Sequence, residues 1–217
     1  MRRKVSRDTD ELIRLMAMSK IKDFSVRGVC AGAAIGIAGF AYLAVGGVFG
    51  ALLFSFGLVS IYVLQLKLFT GMAGNETLDA GGLGRLLAVL ALNFLGAWLV
   101  SLIGRVSPLD IQSKAIGIIS GRLETGWWQC ALLAIPCGFI VDEAVYAWKQ
   151  KKWILPTVLG VCVFIMCGFC HCIADAFYLS LLPLSFVKAH FLPLLACYSC
   201  IVAGNFIGCN LRRLLAL

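Results

Sequence analysis

Ten residues, Met166 to Asp175 (MCGFCHCIAD), hold three cysteines, a histidine and an aspartate. Cys167, Cys170 and His171 spell C-x-x-C-H, the attachment pattern of a c-type haem. Together with Cys197 and Cys200 the first two also frame four thiolates of the kind zinc takes. Paired reactive thiols would suit a membrane thiol oxidoreductase. A further chemistry needs the histidine alone, whose unperturbed pKa near neutrality lets it share a proton with a weak acid.

The elements that must position these residues decide among the four. Of 217 residues 61% are hydrophobic and only 14% charged, which makes the chain an integral membrane protein rather than a soluble domain. Residues 28 to 66 lack Asp, Glu, Lys and Arg altogether; at about 1.5 Å per helical residue that run crosses a ~30 Å hydrocarbon core twice. The glycines Gly46, Gly47 and Gly50 mark the turn between the two crossings. Uncharged stretches at 86–104, 125–141, 153–174 and 189–211 bring the count to six. Residues 1–27 carry eight basic residues and no apolar leader core, so this segment reads as cytoplasmic, with residues 28–213 as the membrane domain. Six crossings return the C-terminus, with Arg212 and Arg213, to the same side. Residues 105–124 read as the main outer loop, with Lys114 and Arg122 as solvated charges. The +8 net charge is spent on orientation and lipid contact. Without a basic groove interleaved with aromatics, nucleic acid is no partner.

Two stretches repeat: NFLGAW at Asn93–Trp98 and NFIGCN at Asn205–Asn210. Each closes a set of three crossings, and a three-crossing unit used twice must enter the membrane from opposite sides. The second and fifth crossings both run into polar or glycine-bearing sequence, LKLFTGMAGN and CGFCHCIADAF. Such interruptions are tolerated at membrane depth only where the backbone is buried in protein or lines a wet cavity. The expected architecture is an all-α membrane protein of two inverted three-helix repeats, with interrupted second and fifth helices around a central pathway.

These letters, with AGAAIGIAGF in the first crossing, FSFGLVSIYVLQLKLFTG through the second and AGNFIG in the sixth, resemble the formate/nitrite transporter family. The resemblance implies a six-helix, aquaporin-like protomer in a homopentamer of the plasma or inner membrane, conducting small monovalent anions and their conjugate acids. It implies that His171 is the central pore histidine, Thr70 its partner across the pore, and Phe54, Leu58 and Phe164 the apolar constriction. The spacing agrees, since Phe54 and Leu58 share a helix face and Phe164 lies seven residues before His171. No catalytic residue, cofactor or metal is expected.

An apolar slot opposes a bare anion and admits a neutral acid. An imidazole between apolar rings can attract the anion and share a proton with it, and the Thr70 hydroxyl can donate to the same oxygen or orient the ring. The haem and zinc readings place their ligands inside a crossing, and ten scattered cysteines make C-x-x-C spacing common; they read mostly as packing residues. A thiol-redox or metal-binding protein, and a non-conducting scaffold of the same fold, stand as alternatives. The chain departs from the family at Cys170 and Asp175, where glutamate and asparagine are usual, at Lys67, where an acid is usual, and at Gly138, where asparagine is usual. Because an unpaired charge at membrane depth is costly, Lys67 is expected to pair with Asp175 or with Asp142 in a rewired network that includes Cys170. The alternative is that Lys67 snorkels to the cytoplasmic interface and Asp142 and Glu143 face water at the end of the fourth crossing.

Overall fold

The computed structural model describes the backbone of residues 2–216 and the side chains of residues 15–216. Every regular element among them is helical. Helix α1 (Arg2–Val45) runs through position 27 without interruption and ends at Gly46, whose φ of 71° only glycine adopts freely. The turn expected there is thus present, and α2 (Gly47–Val63) follows directly. Four stretches are long and apolar enough to cross a membrane as continuous helices: Leu15–Val45 of α1, α4 (Ala80–Val106), α6 (Trp127–Lys151) and α10 (Phe191–Leu214).

Two further pathways are built from broken helices. Helix α2 stops at Val63 and α3 (Phe69–Ala73) resumes the path; α7 (Leu155–Met166) stops, and α8 (Cys172–Leu181) resumes after a five-residue break and ends seven residues beyond the uncharged stretch 153–174. The C-x-x-C-H letters therefore do not lie on a continuous helix. Cys167 caps the end of α7, Gly168 takes a left-handed φ of 70°, and His171 caps the start of α8. The remaining short helix is α9 (Leu184–Ala189).

Residues 105–124 are not a loop. Asp110 caps α5 (Ile111–Thr125) by accepting from Ser113 N–H, and Ile111, Ala115 and Ile119 bury one stripe at helical spacing. Arg122 is not a solvated charge, and Lys114, though exposed, is tied to backbone. Lys114 Nζ donates to the carbonyls of Leu43 and Ala44, satisfying the end of α1, and Arg122 donates to Gly168 and Phe169 at the α7–α8 break.

Helix α1 packs along α4, and α6 along α10, through glycines. A Cβ at Gly32 would strike the Asn93 carbonyl and one at Gly96 the Val29 carbonyl; Gly208 meets Ile135 and Gly138 meets Asn205 in the same way. Lipid supplies no hydrophobic drive between helices, so such close backbone approach is what holds them together. It also accounts for Gly138: an asparagine there would collide with α10. Trp127, Trp128 and Trp153 stand exposed at helix ends, where amphipathic rings meet headgroups.

Candidate functional site

One asparagine fixes each helix break. Asn93 Nδ2 donates to Gly28 and Lys67 carbonyls and its Oδ1 accepts from Phe69 N–H, all at 2.8 Å. Asn205 Nδ2 donates to Ala134 and Cys170 carbonyls and its Oδ1 accepts from Cys172 N–H, again all at 2.8 Å. These are the first letters of the two NF repeats. Each side chain replaces the helix bonds that the break removes, which is how interrupted backbone is satisfied away from water. The residue held between the bonded pair is Leu68 in one break and His171 in the other.

His171 is buried. Its Nδ1 accepts the Ala174 N–H at 3.2 Å as the cap of α8. That bond assigns the hydrogen of the neutral ring to Nε2, which lies 3.2 Å from Thr70 Oγ1 on α3. The capping role was not read from the sequence, although a polar residue followed by an apolar run is its ordinary signal. Thr70 is also buried, and its carbonyl accepts from the Cys209 thiol.

The three apolar residues converge on the same place. Phe54 and Phe164 meet edge to face with centroids 5.8 Å apart, Phe164 stacks on the His171 ring at 5.7 Å, and Leu58 is buried one turn along α2 from Phe54. Phe54, Phe164 and His171 close one end of a cavity of about 320 Å³ whose walls include Arg122 and Asp175. On the far side of Thr70, Leu68 and Gly71 close a second cavity of about 400 Å³ that contains Lys67, Lys149 and Lys152. The two cavities share no lining residue, and neither reaches the buried Thr70 or Leu58.

Lys67 pairs with neither expected partner. Asp142 Oδ2 accepts from Arg212 Nε at 2.9 Å, and Asp175 Oδ2 lies 3.7 Å from Arg122 Nε. Both carboxylates are buried, and each has found an arginine from an element the sequence reading left out of the network. Lys67 instead lines the second cavity beside two other lysines. Cys170 is buried next to the Arg122–Asp175 pair, with its thiol against Cys130. Among the described residues no three His, Cys, Asp or Glu side chains are arranged to hold a metal ion.

A family model described as formate/nitrite transporter matches residues 4–215. The formate channel FocA of Haemophilus influenzae is 23% identical over 159 residues, which cover 65% of this chain and 55% of that protein. The chain thus matches about half the length of that curated relative. A solved pentameric formate channel with formate bound superposes with a TM-score of 0.75 at 19% identity, over 92% of this chain and 97% of the other. A solved FNT family ion channel superposes with a TM-score of 0.72 at 17% identity, over 93% and 91%. At those identities the two structures demonstrate a common fold.

Proposed function

The chain belongs to the formate/nitrite transporter family, and from that premise we propose that it is a membrane channel for small monovalent anions and their conjugate weak acids, such as formate, nitrite or hydrosulfide. The observation that carries the reading is the buried Thr70–His171 pair set between two cavities and walled by Phe54 and Phe164. Anions gather in the cavities, and the apolar neck excludes them as bare charges. His171 Nε2–H and the Thr70 hydroxyl are the polar groups that meet the substrate there. With Nδ1 accepting from Ala174 N–H, the neutral ring offers Nε2–H to the substrate oxygen as a hydrogen bond. The ring gives up a whole proton from Nε2 only as the imidazolium, which forms when a proton taken up at Nδ1 releases the Ala174 N–H and which returns to the neutral ring when the acid leaves with the Nε2 proton.

Two inverted repeats, α1 to α4 and α6 to α10, with the α2–α3 and α7–α8 pathways counted as one crossing each, give six crossings. The identical bonding of Asn93 and Asn205 supports that equivalence. Residues 1–27 then lie on the cytoplasmic side with the C-terminus, and the Lys67 cavity opens to the same side. The plasma or inner membrane is the location, and a homopentamer with one pore per protomer is the assembly, by likeness to the solved pentameric formate channel.

The test is a flux panel in liposomes loaded with a pH-sensitive dye, with formate, nitrite and hydrosulfide gradients. Wild type carries at least one of them with a pH-dependent rate, and His171→Asn flattens the pH profile. Unchanged pH dependence in that variant overturns proton exchange at His171. No flux of any weak acid would leave the non-conducting scaffold.

A further inference from the structure

The cavity on the Lys67 side is larger and more basic than passage of a small anion requires. Lys67 comes from the α2–α3 link, Lys149 from the last turn of α6 and Lys152 from the residue beyond it, and no Asp or Glu lines the space with them. Among the described residues none of the three makes an ion pair. The Lys152 ammonium sits 5.2 Å over the Trp148 ring, which stacks on Tyr62 at 5.9 Å, so the charge is held against an aromatic wall. In that wall the Tyr62 hydroxyl is buried without a hydrogen-bond partner.

Backbone strain is concentrated at the same place. Gln65 and Lys152 take left-handed φ values of 52° and 53°, unfavourable for residues with a Cβ, and both line the cavity. Arg27 holds the first turn by donating to the carbonyls of Leu64 and Gln65. A volume of about 400 Å³ is in the range of pockets for organic ligands.

We propose that this cavity binds a multivalent, phosphate-bearing anion through Lys67, Lys149 and Lys152, and that the bound anion, too large for the Phe54–Phe164 neck, obstructs the pore from that side. Ammonium groups serve phosphate as point charges and donors, and three of them converging engage a multivalent anion together where a monovalent one meets each in turn. The phosphate belongs either to a soluble polyphosphate or to an anionic lipid headgroup. The obstruction rests on the channel reading above; the binding does not.

The probes are inorganic tripolyphosphate and, separately, a short-chain phosphatidylinositol phosphate, whose headgroup carries a phosphomonoester beside the diester, titrated calorimetrically into the detergent-solubilised full chain. We expect saturable binding of one probe per protomer, weakened at least tenfold in Lys149→Gln/Lys152→Gln and abolished when Lys67→Gln is added, in variants with the wild-type melting temperature. Tripolyphosphate binding assigns a soluble ligand, and binding of the lipid alone assigns the headgroup. Absence of both, or affinity unchanged in the triple variant, overturns the site. In zwitterionic liposomes, tripolyphosphate on the Lys67 side should lower weak-acid flux severalfold. Binding without that loss overturns the obstruction, whereas absence of flux before tripolyphosphate is added counts against the channel reading alone.

Discussion

Thr70 Oγ1 lies 3.2 Å from His171 Nε2, across two helix breaks that approach from opposite halves of the chain. With Nδ1 committed to Ala174 N–H, this is the ring's free hydrogen-bonding edge. Thr70→Val keeps the shape and removes the hydroxyl, and a neutral hydrogen bond is worth about 1 kcal/mol, so weak-acid flux should fall roughly five- to tenfold. Thr70→Ser should retain most of it. Equal flux in Val and Ser variants would remove the hydroxyl from the mechanism.

The Arg122–Asp175 pair gives an asymmetric expectation. Arg122→Met strands a buried carboxylate and also strips donors from the Gly168 and Phe169 carbonyls, so it should cost about 3–5 kcal/mol. Asp175→Asn, which leaves those donors in place, should cost less. A double-mutant cycle on melting temperature in detergent should show coupling between the two positions. Lys67→Met combined with Asp175→Asn should be additive, because Lys67 faces another cavity; coupling there would restore the pairing the structure replaces.

Asn93→Ala and Asn205→Ala should be equally damaging. Each leaves one carbonyl and one N–H unpartnered at a buried break and removes a second bond from a helical carbonyl, a loss of about 2 kcal/mol or more at ~1–3 kcal/mol per orphaned group. Asn→Asp at either site keeps the acceptor but loses both donations and should be no better than alanine. Thermal unfolding with an intact-oligomer readout would measure this, and a large difference between the two sites would end their equivalence.

Phe164→Ala removes the ring that touches both Phe54 and His171. A buried Phe→Ala change costs about 3–5 kcal/mol. The same change should admit bulkier acids, so the flux ratio of acetate or lactate to formate should rise. A lowered melting temperature with an unaltered ratio would make Phe164 a packing residue only.

The link after α3 supplies a pH expectation outside the membrane. The Gly82 N–H, and then the Thr77 hydroxyl, hold the Asp79 carboxyl below the usual carboxylate range; Arg85 does the same for Glu76, first by hydrogen bond. Depressed folded values mean that the contribution to order is complete above the unfolded values of about 3.9 and 4.3. It is lost as pH falls through the lower, folded ones. Protection of the Gly82 amide from hydrogen exchange should therefore decline in acid, and Asp79→Ala should show the reduced protection at neutral pH.

Much of the candidate site was legible because it is local. His171, Thr70, Phe54 and Phe164 sit in distinctive short strings, and the two NF strings mark the residues that clamp the breaks. What escaped is long-range or short and mixed in character. Arg122 reaches Asp175 across 53 positions, and no periodicity in either segment announces the partner; the sole hint was that a buried aspartate needs a cation. Helix α5 did carry a signal, Asp110 ahead of apolar residues four apart, but its charged letters and position between crossings resembled a loop. Gly138 looked like a loss from the site and is a packing requirement of α6 against α10.

Each interrupted helix is tied by a side chain to a span other than its own: the α2–α3 break to α4, the α7–α8 break to α10. Neither break can slide or rock against that span without releasing two buried bonds at once. Motion at the neck is left to side chains, above all the rings of Phe54 and Phe164. Domain rearrangements run on microseconds to milliseconds, and side-chain rotations are far faster. If the neck conducts as proposed, the turning of rings rather than the resetting of a domain would time each passage.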